Sequence, residues 1–279
     1  MTRISIKHRI SYHYDRRVFL SGHLFRLSPF AASHSQIETY SLRVEPAHLL
    51  YWQHDVYGNI LARVDFADAT DAMAVDVAID ATLKKFNPFE LLVESDASQF
   101  PFVYPEPVRM ALWPYLQTPG PDPALDEFIE STDRFRGDTL GFLVSLNRLV
   151  FDQIRYTQRM EEGVQSCALT LKNRSGSCRD SAWLIVQVAR RLGLASRFVS
   201  GYLVQLNTGN QDAVDLHAWA EVFVPGAGWI GLDTTSGLFT SEGHIPLAVG
   251  PGPEQVAPVE GTTGVCRSTM HYESIVVRR

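Results

Sequence analysis

The sequence predicts an α+β fold, in which an antiparallel, β-rich N-terminal part precedes a core with a helix packed on an antiparallel sheet. Three observations support this prediction. Short alternating stretches dominate positions 3–83, prolines are concentrated between positions 86 and 123, and apolar residues recur at helical spacing from position 125 onwards. Strands that come first and helices that come later are typical of an α+β protein.

The N-terminal part has the pattern of antiparallel strands. Stretches 3–15, 38–45, 60–67 and 73–83 alternate apolar and polar residues or are rich in β-branched residues, with polar turns between them. The Pro-rich stretch that follows cannot sustain long regular elements. We therefore expect a β-rich domain over residues 1–100, a Pro-rich connection over 101–123 and a second domain over 124–279.

The second domain begins with a helical pattern over 125–156 and continues with a second helix that starts near Cys178. Apolar residues follow this cysteine at helical spacing, a serine is available as N-cap, and Gly193 falls where a helix commonly ends. Both ends of the second helix are therefore marked. Its apolar positions are Ala182, Ile185, Val186, Ala189 and Leu192.

A β-hairpin is predicted downstream, because two apolar stretches, 217–224 and 229–234, flank a segment rich in turn formers. In a register centred on Gly226, Asp233 lies opposite Trp219 and diagonal to His217, on the same face of the sheet. A register shifted by one residue turns Asp233 to the other face. We therefore predict a bulged or odd-length turn.

Cys178, His217 and Asp233 are the candidate catalytic residues. A thiol attacks a carbonyl only as the thiolate, which the positive end of a helix dipole and a nearby imidazolium both favour. His217 would hold the thiol proton and deliver it to the leaving group, and Asp233 would orient the imidazole and stabilise its charged form. These residue types in this order are what cysteine-based acyl transfer needs.

The motifs around these residues resemble those of the bacterial transglutaminase-like proteins. They read Gly-Ser-Cys-Arg-Asp-Ser-Ala, Gly-Leu-Ala-Ser-Arg-Phe-Val-Ser-Gly-Tyr-Leu, Asp-Leu-His-Ala-Trp-Ala-Glu-Val-Phe-Val and Gly-Trp-Ile-Gly-Leu-Asp-Thr-Thr. Ser11-Tyr12-His13-Tyr14 and Asp55-Val56-Tyr57-Gly58-Asn59 resemble the β-rich domain that precedes this core in the family. The resemblance implies a papain-like core, with the nucleophile at Cys178, the general base at His217 and the orienting acid at Asp233.

Residues that would bind the substrate or the oxyanion are harder to find in the sequence. The backbone N–H of Cys178 is the expected first oxyanion donor, since the attacked carbonyl would lie over the same helix start. Gln165, Trp219 and Trp229 are candidates for the second donor. Core packing is the alternative interpretation for both tryptophans, and a solvated loop is the alternative for Gln165.

The expected reaction forms a thioester with a peptide, γ-glutamyl or other amide substrate, and hydrolysis is slightly favoured over transfer to an amine. Two other functions stay open. The fold could serve as a non-catalytic peptide-binding module, or Cys178 and Cys167 could form a thiol redox sensor.

Composition restricts the partners. A formal net charge of −6 argues against nucleic acid as the principal partner, because phosphate binding needs a basic surface. No apolar run approaches the roughly 20 residues of a membrane span. Three cysteines fit a reducing compartment, and they show no metal-ligand spacing with the nine histidines. We therefore expect a cytoplasmic protein without a metal or other cofactor, and a homo-oligomer is left open.

Overall fold

The computed structural model of the protein describes residues 1–31, 33–132, 137–208 and 211–279. The first third is built of strands, which are β1 (Thr2–Val18), β2 (His23–Phe25), β3 (Gln36–Glu45), β4 (His48–His54), β5 (Ile60–Phe66) and β6 (Thr70–Leu83). A connecting segment holds only short elements, which are β7 (Gln99–Phe100), α1 (Glu106–Ala111), α2 (Pro123–Glu130) and β8 (Gly137–Asp138). The strands predicted at 3–15, 38–45, 60–67 and 73–83 are confirmed as β1, β3, β5 and β6.

The remaining elements form the second half of the molecule. They are α3 (Thr139–Gln153), β9 (Arg155–Tyr156), α4 (Cys167–Asn173), β10 (Ser175–Gly176), α5 (Cys178–Arg191), β11 (Ser196–Thr208), β12 (Gln211–Val224), β13 (Gly228–Asp233), β14 (Leu238–Phe239), β15 (His244–Gly250), β16 (Val259–Glu260) and β17 (Ser268–Arg278). The helical pattern over 125–156 thus comprises most of α2 and the whole of α3, with β8 between them, whereas its last two residues form β9.

Two four-stranded antiparallel sheets form the N-terminal part, with strand orders β17-β1-β6-β3 and β16-β2-β5-β4. Every second residue of β1 from Ile4 to Ile10 is buried, as expected for a strand with one face against a core. Buried side chains from both sheets share one hydrophobic core with Tyr202 of β11 and Ile245 of β15. The N-terminal part therefore packs directly on the sheet of the second half.

The second half contains a five-stranded sheet of order β14-β13-β12-β11-β15, in which all pairs are antiparallel. Helix α5 packs on this sheet, because its apolar face shares a core with the even-numbered residues of β12, which include Ala220 and Val222. Both residues are fully buried. The predicted α+β class, with a helix on an antiparallel sheet, is confirmed.

The last two strands return to the N-terminal part. Strand β17 pairs with β1 over eleven positions, and β16 pairs with β2. The predicted domain 124–279 thus contains strands that hydrogen-bond within the N-terminal sheets, and the predicted boundaries stay a prediction. Among the described residues, no helix combines the length and apolar character needed to cross a bilayer.

Candidate active site

Cys178 is the first residue of α5, and its position is fixed by the buried carboxylate of Asp180. Asp180 Oδ2 accepts hydrogen bonds from Ser177 N and Ser177 Oγ, both at 2.8 Å, so that the side chain caps its own helix. This carboxylate also accepts from Arg159 Nε at 2.9 Å. Helix α5 therefore begins at Cys178 with a rigid first turn, and the Cys178 side chain is partly exposed.

Gln165 belongs to the same network. Its backbone N donates to Asp180 Oδ1 at 2.7 Å, and its side-chain Nε2 donates to Asp180 Oδ2 at 3.1 Å. Burial acts to raise the pKa of Asp180, but the hydrogen bonds from Gln165 and Ser177 outweigh it and lower the pKa. Asp180 is therefore an ionised carboxylate whose hydrogen bonds link the loop before α4 to the start of α5.

The hairpin of β12 and β13 brings His217 and Asp233 together. Val224 pairs with Gly228, which centres the register on Gly226 and leaves a three-residue turn at 225–227. The predicted odd-length turn is confirmed. Asp233 follows the last pair of the hairpin and lies on the face that carries His217, and the two side chains are joined by a 3.1 Å hydrogen bond from Nε2 to Oδ1.

The sulfur of Cys178 lies close enough to His217 to raise the pKa of the imidazole. Since Nε2 is used by Asp233, Nδ1 is the ring nitrogen that is left for an interaction with the sulfur. Burial acts to lower the pKa of His217, but its hydrogen bond with Asp233 and its interaction with the nearby Cys178 sulfur raise it to about 10. His217 is therefore an imidazolium at neutral pH.

The carboxylate of Asp233 is almost fully buried and has four hydrogen-bond donors. Oδ1 accepts from His217 and from the backbone N and side-chain Oγ1 of Thr235, at 2.9 and 2.7 Å, and Oδ2 accepts from His244 Nε2 at 3.3 Å. Burial acts to raise the pKa of Asp233, but the bonds from His217 and His244 outweigh it and hold the pKa well below its ordinary value. Asp233 thus remains an anion next to the imidazolium.

Ligand atoms of His217, Asp233 and His244 lie within 4.8 Å of one another, a spacing that a metal ion could bridge. The same atoms are hydrogen-bonded to one another, His217 to Oδ1 and His244 to Oδ2 of Asp233. Ser241 N donates to His244 Nδ1 at 3.1 Å, so the neutral ring carries its proton on Nε2, which faces the carboxylate. The donor set is therefore arranged as a hydrogen-bonded chain around Asp233.

Two stretches of the chain match family models. The bacterial transglutaminase-like N-terminal region matches residues 4–82, and the transglutaminase-like superfamily model matches residues 127–234, which include Cys178, His217 and Asp233. The chain belongs to the transglutaminase-like superfamily. The resemblance predicted from the sequence motifs is thereby confirmed for both halves.

Other members and neighbours are similar over different lengths. An uncharacterized protein of Mycobacterium leprae is 25% identical over 283 residues, covering 94% of this chain and 93% of that relative. An uncharacterized protein of Mycobacterium tuberculosis is 34% identical over 96 residues, covering 32% of this chain and 31% of the relative. A solved structure from Cytophaga hutchinsonii, whose description proposes a cysteine protease, has a TM-score of 0.74 at 20% identity and covers 99% of this chain and 91% of its own. The shared fold confirms the predicted transglutaminase-like architecture.

The three predicted oxyanion candidates lie in different surroundings. Gln165 uses its side-chain amide on Asp180, as described above. Trp219 is buried beside His217, with ring centroids 6.4 Å apart, and its Nε1 donates to Glu221 at 3.5 Å. Trp229 lies under the Arg197 guanidinium, 4.2 Å from the ring centroid. A role of these residues in substrate binding stays a prediction.

Sequence reasoning missed His244, Thr235 and Tyr156. Thr235 stands two positions after Asp233, a spacing typical of side-chain to backbone turns, and this signal was available. Tyr156 reaches the site because it pairs with Gly176, two residues before Cys178, and its side chain is 57% exposed. Nothing local in the sequence marks His244, because only the pairing of β15 with β11 brings it near Asp233.

Proposed function

We propose that this protein catalyses cysteine-dependent acyl transfer on peptide, γ-glutamyl or other amide bonds, through a thioester on Cys178. The observation that carries the proposal is the hydrogen bond of His217 to Asp233 at 3.1 Å, next to the Cys178 sulfur at the start of α5, which raises the pKa of the same imidazole. A sulfur, an imidazole and a carboxylate in this order can hold, move and return a proton during acyl transfer.

In the first half-reaction, the sulfur of Cys178 attacks the substrate carbonyl while His217 carries the proton. The backbone N–H of Cys178 lies in the first turn of α5, where no earlier helical turn supplies an acceptor, so it can stabilise the developing oxyanion. His217 then protonates the leaving amine as the C–N bond breaks. The products of this step are a free amine, a thioester on Cys178 and a neutral His217.

In the second half-reaction, neutral His217 accepts a proton from the attacking water or amine, and the thioester C–S bond breaks. The sulfur leaves as the thiolate and the imidazolium is restored, with Asp233 stabilising its charge. We favour water as the acceptor, because water needs no dedicated binding site. The partly exposed Cys178 and the exposed Tyr156 beside it are consistent with access of solvent.

The proposal extends to the partner and the place of action. We propose a peptide or another amide-containing molecule as the substrate, a cytoplasmic location, and no nucleic acid or membrane as a partner. Net charge and cysteine usage support this assignment.

Neither of the other two functions is favoured by an observation. A pure binding module does not require the arrangement of Cys178, His217 and Asp233. For the redox sensor, burial raises the pKa of Cys167 to about 12, with a smaller contribution from Asp122. Cys167 is therefore a buried thiol at neutral pH, a state that does not favour exchange with Cys178.

The first experiment is alkylation of the wild-type protein with iodoacetamide between pH 5 and 9, with each thiol followed by peptide mass mapping. We expect Cys178 to label at pH 6 at least about tenfold faster than Cys266, a partly buried thiol that serves as the internal control. His217→Ala should remove most of this difference. Equal rates for Cys178 and Cys266 at pH 6 would argue for the binding module.

The second experiment traps the intermediate. Wild-type protein is incubated with a peptide library and quenched in acid, and intact mass is compared with that of Cys178→Ala and Cys266→Ala. We expect an acyl adduct in the wild type and in Cys266→Ala, and none in Cys178→Ala. An adduct that persists in Cys178→Ala would refute the assignment of the nucleophile.

A further inference from the structure

His244 lies on the side of Asp233 opposite His217. It is the first residue of β15, it is 8% exposed, and its Nε2 lies 3.3 Å from Asp233 Oδ2. The two imidazole rings are 6.1 Å apart, so both act on one carboxylate without touching each other. The reaction proposed above assigns no role to this second histidine.

The direction of the hydrogen bond to Asp233 is set by the backbone. Ser241 N donates to His244 Nδ1 at 3.1 Å, so Nδ1 is an acceptor and holds no proton. The proton of the neutral ring is therefore on Nε2, and His244 donates to Asp233.

The two carboxylate oxygens of Asp233 accept different numbers of hydrogen bonds. Oδ1 has three donors, from His217 and from the backbone and side chain of Thr235. In the part of the chain that the structure describes, His244 is the one donor to Oδ2. Without His244, a buried anionic oxygen would have no partner, and the carboxylate could recover one by turning away from its present orientation.

The His244 ring is also held in place by packing. It meets the buried Trp219 ring edge-on, with centroids 5.2 Å apart and planes at 82°. Trp219 in turn lies beside His217 on the same face of β12. A ring fixed by a backbone hydrogen bond on one side and by an indole on another can impose its orientation on Asp233.

We propose that His244 is a positioning residue of the acyl-transfer site, which holds Asp233 Oδ2 so that Oδ1 faces His217. The inference rests on the proposed function of Cys178. It extends the proposed catalytic unit to four side chains in the order Cys178, His217, Asp233 and His244. His244 itself touches neither the sulfur nor the substrate carbonyl.

The test compares His244→Gln with His244→Asn. The Gln amide can reach Oδ2 and can still accept from Ser241, whereas the Asn amide is one methylene too short to reach Oδ2. p-Nitrophenyl acetate is the acyl donor, and release of p-nitrophenol gives kcat and KM. His8→Gln is the matched control, because His8 is another buried histidine, 1% exposed, in the N-terminal sheet.

We expect His244→Asn to lose about 10- to 100-fold in kcat, since a hydrogen bond to a buried charged group is removed, with KM nearly unchanged. His244→Gln should keep most of the wild-type kcat, and His8→Gln should keep all of it. The alkaline limb of the pH profile of kcat reports the pKa of His217. It should move to lower pH in His244→Asn only, because a misoriented Asp233 carboxylate stabilises the His217 imidazolium less well.

Equal kcat values for wild type and His244→Asn would overturn the positioning role. The role would also be overturned if His244→Gln and His244→Asn lost kcat to the same extent and in proportion to their loss of stability in urea. Nitrogen NMR of the imidazole rings adds a readout without turnover, namely a lower pKa of His217 in His244→Asn than in wild type. If wild type and Cys178→Ala release p-nitrophenol equally, the proposed function fails, and the NMR comparison still decides the role of His244.

Discussion

Replacement of Asp233 by asparagine is the most direct test of the proposed chemistry. The substitution keeps the size of the side chain but leaves one acceptor oxygen where the carboxylate has two. That carboxylate now accepts from His217 through Oδ1 and from His244 through Oδ2. Because both histidines donate, the NH₂ group of the amide must face one of them in either orientation.

The magnitude follows from the loss of the charge beside His217. In either orientation the amide is neutral, so the negative charge that favours the imidazolium is lost, and an NH₂ group placed against Nε2 would in addition displace the ring proton. The same substitution in serine triads costs about 10⁴-fold in kcat through the wrong tautomer. We expect a loss of about 10³- to 10⁴-fold here, which corresponds to roughly 4–5.5 kcal/mol of transition-state stabilisation.

The assay is single-turnover acylation by p-nitrophenyl acetate, with stability measured in urea to show that the variant is folded. Asp215→Asn is the control, since this exposed carboxylate lies two residues before His217 on the same strand and also favours its charged form. Asp215→Asn should lower the acylation rate by less than about threefold, because exposed charges interact only weakly. An Asp233→Asn rate within tenfold of wild type would refute the role of Asp233 as the orienting acid.

Three further predictions concern the supports of the site. Asp180→Asn should lower the unfolding free energy by about 3 kcal/mol, measured in urea, because the buried amide cannot accept all the hydrogen bonds that Ser177, Gln165 and Arg159 donate to the carboxylate. Gly201→Ala should lower the unfolding free energy by about 1–3 kcal/mol, since a Cβ would overlap the Ile245 carbonyl and the Trp219 ring. Gly120→Ala is the control, because an added Cβ there lies more than 4 Å from the other described atoms. The raised pKa of His217, about 10 against 6.5 in the unfolded chain, means that its contribution to stability is full below pH 6.5 and is lost as pH rises through 10. Unfolding free energy should therefore fall between pH 7 and 10 in the wild type, and a fall of equal size in His217→Asn would contradict this.

The local parts of the site were predictable because each depends on short-range rules. Gly193, a positive-φ glycine after the helix, marks the end of α5 as predicted, and of the two serines available as N-cap, Ser175 and Ser177, the structure uses Ser177. The number of residues in the hairpin turn is also a local property, and an odd number places Asp233 on the same face of the sheet as His217. The start of the helix and the pairing of the two strands could thus be derived from about 60 residues of sequence.

The remaining parts depend on contacts between distant segments. Alternation marks the faces of a strand but does not name its neighbour, so the pairing of β17 with β1 could not be derived from either stretch alone. The same limit hid His244, because β15 joins the sheet beside β11 and not beside its sequence neighbour β14. A histidine that acts through a non-sequential strand carries no spacing signal.

The segment that follows β6 also bears on the site, through the turn that sets the hairpin register. Gly226 has a φ of +85°, a conformation that L side chains rarely adopt, and an added Cβ would lie 2.6 Å from the Leu92 carbonyl oxygen. Glu94 N donates to the Pro225 carbonyl at 3.0 Å, so the connecting segment is bonded to this turn. Because a shift of one residue would turn Asp233 away from His217, contacts made by residues 92–94 help to hold the catalytic face in place. The segment between the two halves therefore stabilises the hairpin turn as well as connecting the two halves.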